Sequence, residues 1–133
     1  MNNYTNILRE HNLKATPQRL AIAEALYSYW HLSVESLYDM MLQKFNSISQ
    51  ATIYKNINLM IENSFIQEVK IPHAKSVYEL IKDAHAHLVC QKCKEVSDIV
   101  VNLESMMEDT SKKSNFKISR ADLVFCGVCK KCQ

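Results

Sequence analysis

The chain has 133 residues, 47% hydrophobic and 23% charged, with a formal net charge of +2 at pH 7. That apolar share is too high for a disordered chain, and the near balance of charge excludes a strongly basic protein. The single glycine, Gly127, and the two prolines, Pro17 and Pro72, leave no Gly-rich phosphate loop. Few breakers favour helices and strands joined by short polar connections. No apolar leader occurs at Met1-Asn2-Asn3-Tyr4. No stretch approaches the roughly 18 uninterrupted apolar residues needed to cross a bilayer. A cytoplasmic protein without a membrane segment is expected.

Residues 1–64 read as helices. Asn3–His11 is a short amphipathic opening. Thr16 then serves as N-cap and Pro17 as first residue of a second helix, where the missing N–H costs nothing. Leu20, Ile22, Ala23, Leu26, Tyr27 and Trp30 recur at helical spacing and predict its core face. Ser33 caps a third helix carrying Val34, Leu37, Met40 and Met41. Ser49 caps a fourth, Gln50–Asn63, with Ile53, Ile57, Met60 and Ile61 on its apolar side.

From Phe65 the period changes to two. Phe65–Val69 and Val77–Ile81 alternate as strands around Pro72-His73-Ala74. Helices closing on such a hairpin predict a winged helix-turn-helix. After residue 82 the pattern restarts with His87–Cys90, Val96–Val101, a polar helix Leu103–Ser114 and a strand Phe116–Phe125. The expected fold class is α+β: a winged-helix unit at 1–82 and a small α/β unit, three strands and one helix, at 83–133.

The second unit carries the strongest chemical signal. Cys90-Gln-Lys-Cys93 and Cys129-Lys-Lys-Cys132 are two CxxC pairs separated by 35 residues. Each pair sets two thiolates on one side of a tight turn, and four together make the tetrahedral donor set Zn²⁺ favours. A reducing cytosol argues against the alternative of disulfides. A small sheet has little core, so a structural Zn²⁺ clamp is physically reasonable. Cys126 makes the tail Cys126-Gly-Val-Cys129-Lys-Lys-Cys132, so two CxxC pairings remain open.

A second donor set is His85-Ala-His87, preceded by Glu79 and followed by Asp98, with His31 far upstream. Histidines at i and i+2 of an extended segment share one face and can reach one ion. Imidazoles mixed with carboxylates suit a borderline-hard divalent ion such as Fe²⁺ or Mn²⁺. His11 and His73 have no such company and read as surface residues.

On the fourth helix, Gln50, Thr52, Tyr54, Lys55 and Asn56 lie toward the N-terminal end, the part of a recognition helix that enters the major groove. Lys55 and Arg19 suit phosphates. Against this, residues 1–64 balance five Lys/Arg with five Asp/Glu, as a merely solvated helix face would. A neutral module predicts weak binding by one copy, so double-stranded DNA with a two-fold-related site, read by a homodimer, is the expected partner.

With these residues on the page, the chain resembles the ferric uptake regulator (Fur) family over nearly its whole length. The matching pieces are Thr16-Pro17-Gln18-Arg19, His31, Ser49-Gln-Ala-Thr-Ile-Tyr54, His85-x-His87-x-x-Cys90-x-x-Cys93 and Cys129-x-x-Cys132. The resemblance implies a homodimeric, metal-responsive transcriptional repressor and not an enzyme, with a C-terminal dimerisation domain. It implies structural zinc at Cys90, Cys93, Cys129 and Cys132, which leaves Cys126 as a small strand residue. It also implies a regulatory Fe²⁺ or Mn²⁺ site of His31, Glu79, His85, His87 and Asp98. A further site found in many members maps to Ala84, Ala86 and Ala121, which hold no ligand atoms. Asp98 and Asn56 resemble the peroxide-sensing branch, whereas Glu79 stands where that branch commonly has aspartate. In that branch, iron-catalysed oxidation of a ligand histidine, here His31 or His85, releases the metal and lifts repression. The alternative is an iron-responsive repressor without peroxide chemistry.

Overall fold

The structure is a computed structural model that describes residues 3–133. The reading of Met1 and Asn2 as leaderless lies outside the described residues. The chain forms two compact units, one ending at Ile81 and the other beginning at Lys82. The fold class is α+β, a winged helix-turn-helix followed by a small α/β unit.

The first unit contains α1 (Tyr4–Glu10), α2 (Pro17–Tyr29), α3 (Val34–Lys44), α4 (Gln50–Glu62), β1 (Ile66–Val69) and β2 (Val77–Leu80). Thr16, Ser33 and Ser49 each accept the backbone N–H three residues on, from Arg19 at 3.3 Å, Ser36 at 3.1 Å and Thr52 at 3.1 Å. Each bond satisfies an N–H the helix cannot pair internally. Strands β1 and β2 pair antiparallel from Ile66↔Leu80 to Val69↔Val77 and form the wing. Leu8, Ile22, Leu26, Leu37, Met41, Ile53, Ile57, Met60 and Ile66 are fully buried and form the core that fixes α4 against its neighbours. Ile57→Ala, at 1% exposure, is expected to lower unfolding stability by about 2–5 kcal/mol, read by urea denaturation.

Two residues assigned to the core from helical spacing are exposed instead. Tyr27 and Trp30 are each 58% exposed. The buried stripe of α2 is Ala21, Ile22, Ala23, Ala25 and Leu26, whose alanines let α1, α3 and β2 approach closely. Trp30 ends the helix at φ 66° and ψ −55°, where the backbone leaves the helical path. His11, read as a surface residue, is half-buried. Its Nδ1 lies 2.9 Å from the carbonyl of Asn63, so it donates to the C-terminal end of α4, and its ring meets Phe65 edge-on at 5.5 Å.

The second unit contains β3 (Ala86–Cys90), β4 (Val96–Ile99), α5 (Leu103–Ser114), β5 (Val124–Gly127) and a closing 3-10 turn at Lys130–Cys132. The sheet order is β4-β3-β5, with β3 antiparallel to β4 and parallel to β5. The expected strand Phe116–Phe125 is corrected to its last part. β3 is five residues long and pairs with β5 from His87↔Val124 to Cys90↔Gly127, so residues 116–122 precede the reach of its ladder. Phe116 is accordingly 71% exposed.

Candidate metal centres and nucleic-acid interface

Cys90 ends β3, Cys93 closes the turn after it, and Cys129 and Cys132 bracket the final 3-10 turn. The parallel pairing Cys90↔Gly127 carries the tail alongside β3, so the two knuckles meet. The four sulfurs lie within 4.8 Å of one another, and Cys93 Sγ is 3.8 Å from Cys129 Sγ. A Zn–S bond of about 2.3 Å implies a tetrahedral S···S edge of about 3.8 Å, so the cluster has the dimensions of a Zn²⁺ site. All the cysteines are free thiols. The backbone N–H groups of Cys129 and Cys93, each 3.4 Å from Cys90 Sγ, lower that thiol's pKa to about 6. The hydrogen-bonded side chain of Cys129 pushes Cys132 up to about 12. Cys90 is the buried corner of the quartet. Cys126, paired across the ladder with Val89, is exposed and outside the cluster.

Three further donors converge within the second unit. His87 is directly opposite Asp98 in the β3–β4 ladder, and His85 precedes β3 by one residue. The Nε2 atoms of His85 and His87 are 3.1 Å apart. Asp98 Oδ1 lies 3.6 Å from the first and 3.5 Å from the second. Ligands at about 2.1 Å from one ion, at right angles, stand about 3.0 Å apart, so the spacing suits a divalent cation. His85 Nδ1 donates to the Asp83 carbonyl at 2.7 Å, which in the neutral ring leaves the Nε2 lone pair for a ligand. The Lys82 ammonium pairs with Asp98 Oδ2, so the carboxylate already holds one cation.

The first unit assembles the other two candidates. Leu32 and Tyr78 form an isolated antiparallel bridge, with N···O distances of 3.2 and 2.8 Å. One residue back from Leu32 is His31, and one residue on from Tyr78 is Glu79, so the bridge sets them opposite each other. His31 Nε2 is 3.1 Å from Glu79 Oε1. Glu79 is 0% exposed. A carboxylate so buried needs hydrogen-bonding partners, and a second one is Gln67, whose Nε2 donates to Glu79 Oε2 at 2.8 Å. Sequence reasoning missed Gln67. The only signal for it is the register, which places Gln67 directly across from Glu79.

On α4, Gln50, Thr52, Tyr54 and Lys55 are exposed, and Tyr54 is 45% exposed. Arg19 and Asn56 are half-buried and bonded to each other: Arg19 Nε donates to Asn56 Oδ1 at 3.1 Å. Arg19 also donates to the Lys14 carbonyl at 3.1 Å, and Asn56 to the Thr52 carbonyl at 3.1 Å. The polar residues thus form one surface at the start of α4, with Arg19 held at its edge.

A winged helix-turn-helix, then an α/β unit bearing a four-thiol knuckle and clustered imidazole and carboxylate donors, is the organisation of a metal-responsive transcriptional regulator. The ferric uptake regulator family model matches residues 10–126, and the chain belongs to that family. Its members are DNA-binding dimers that regulate transcription and are not enzymes. The chain is 30% identical to the peroxide operon regulator of Bacillus subtilis (strain 168), over 94% of this chain and 88% of that protein. It is 32% identical to the ferric uptake regulation protein of Neisseria meningitidis serogroup C, over 100% of this chain and 96% of that one. The fold matches the crystal structure of the Campylobacter jejuni peroxide stress regulator with a TM-score of 0.77 at 31% identity, covering 98% of this chain and 100% of the other. Relatives of the peroxide and the iron kind thus stand at similar identity. Among the described residues no helix is long and apolar enough to cross a membrane.

Proposed function

We propose that this protein is a cytoplasmic, metal-dependent repressor of peroxide-stress genes that binds a two-fold-related operator as a homodimer. Residues 1–82 form the DNA-binding domain and 83–133 the dimerisation domain. Cys90, Cys93, Cys129 and Cys132 hold structural Zn²⁺. His31, Glu79, His85, His87 and Asp98 hold the regulatory Fe²⁺ or Mn²⁺. Arg19, Gln50, Thr52, Tyr54, Lys55 and Asn56 face DNA. The observation that carries the regulatory reading is the convergence of His85, His87 and Asp98 Oδ1 within 3.6 Å. Two imidazoles and one carboxylate on one face are the donor set of Fe(II) sites that react with oxygen species.

His31 and Glu79 belong to the first unit, and the other three donors to the second. An ion taking ligands from both favours the arrangement in which it is fully coordinated. It stabilises DNA binding by the difference in its affinity for the two arrangements. When bound, Fe²⁺ would supply the redox chemistry that cleaves hydrogen peroxide at the site, the ligand ring itself being the net two-electron reductant. The ring of His31 or His85 then gains one oxygen atom while the other leaves as water. An oxidised ring is a poor ligand, so repression ends.

The iron-responsive alternative is favoured by Glu79, and one experiment separates the two. Operator binding is measured with Mn²⁺ or Fe²⁺, each with and without hydrogen peroxide, and followed by peptide mass spectrometry. The expected result is peroxide-dependent release of the Fe²⁺ form alone, with one oxygen added to a peptide containing His31 or His85. Oxidation confined to cysteines, or release only on chelation, would overturn peroxide sensing.

A further inference from the structure

We infer that Gln67 is a positioning residue for the regulatory metal, acting through Glu79. The inference rests on the reading of Glu79 as a ligand. Three observations carry it. Gln67 and Glu79 are direct cross-strand partners of the β1–β2 ladder, so backbone pairing holds their side chains on the same face. Gln67 Nε2 donates to Glu79 Oε2 at 2.8 Å, while Oε1 is the oxygen 3.1 Å from His31. Glu79 itself is completely buried.

A buried carboxylate that must serve a cation has to point one way, and an amide partner can hold it without adding a positive charge to repel the incoming ion. By holding Oε2, Gln67 limits rotation of the carboxylate and keeps Oε1 on the His31 side. A lysine or arginine at the same register position would hold the oxygen too, but would add a charge that opposes metal entry. Outer partners of this kind typically change metal affinity by about 10–100-fold.

The test measures Mn²⁺ binding to the full-length, zinc-loaded protein by electron paramagnetic resonance of the free ion. The variants are Gln67→Met, Glu79→Gln and the double variant. Gln67→Met is expected to weaken Mn²⁺ binding by about 10–100-fold. Added to Glu79→Gln, it is expected to cause no further loss, because its effect passes through that carboxylate. Gln67→Asn keeps an amide but withdraws it by one methylene, and the same loss is expected if methionine disturbs the strand. Thermal unfolding of each variant without Mn²⁺ isolates a purely structural role, which would lower the midpoint and leave the affinity of the folded protein unchanged. Unchanged Mn²⁺ affinity in Gln67→Met overturns the inference, as does an equal loss in the Glu79→Gln background. Native affinity in Glu79→Gln alone removes Glu79 from the ligand set, and that result is visible before Gln67 is altered.

Discussion

Replacing Cys132 with serine is expected to strip the zinc from this protein and unfold its second unit. That unit has little else to hold it: its buried side chains are Ala86, His87, Val89, Cys90 and Leu103. The sheet is three strands of four or five residues. Structural zinc contributes about 10–16 kcal/mol in small zinc-finger peptides, far more than so few apolar side chains supply. The zinc-to-protein ratio by elemental analysis should therefore fall from one to near zero. Dimers should disappear in analytical ultracentrifugation, while the helices of the first unit persist. Cys126→Ser is the matched control and should keep both zinc and dimer, because Cys126 is exposed and not part of the sulfur cluster. A Cys126→Ser protein without zinc, beside a Cys132→Ser protein that retains it, would show that the tail uses the other pair.

The second large effect is expected from His87→Ala. His87 is only 7% exposed and lies directly opposite Asp98 in the ladder, so the strand pairing holds it at the donor cluster. Coupling between an effector and a distant binding surface typically amounts to about 1–3 kcal/mol, a factor of about 5–150 in affinity. The native protein should bind a two-fold-symmetric duplex tighter by that factor when Mn²⁺ is added. The variant should show the metal-free affinity at every Mn²⁺ concentration. Fluorescence anisotropy at one fixed salt concentration reads both, since phosphate contacts make affinity strongly salt-dependent. Zinc content should be unaltered, which distinguishes loss of the regulatory ion from loss of fold. A native-like Mn²⁺ response in His87→Ala would remove this residue from the sensing site.

How much of this was readable beforehand differs by element. The caps at Thr16, Ser33 and Ser49 and the helix Leu103–Ser114 follow from contacts three or four residues apart, and the structure has them where sequence spacing predicts. The two histidines of the His-x-His pair share a face because a strand repeats every two residues. Tyr27 and Trp30 depart from the helical-spacing expectation for a different reason. Spacing identifies an apolar face, but α2 packs on three sides through its alanines, and residue size then decides which positions are covered. The strand expected from Phe116 failed similarly, because alternation states a preference while pairing needs a partner strand of sufficient length.

The amino-acid sequence by itself determined the α+β class, the helix starts, the four-thiol set and the family, all of which rest on local spacing or on residue type. Only the tertiary structure decided which distant side chains meet. His31 reaches Glu79 through a bridge 46 residues apart in the chain, between Leu32 and Tyr78. Gln67 meets Glu79 through strand register, and Arg19 meets Asn56 across 37 residues. Such pairs are chosen by the free energy of packing the whole core, and no short window of residues contains both partners.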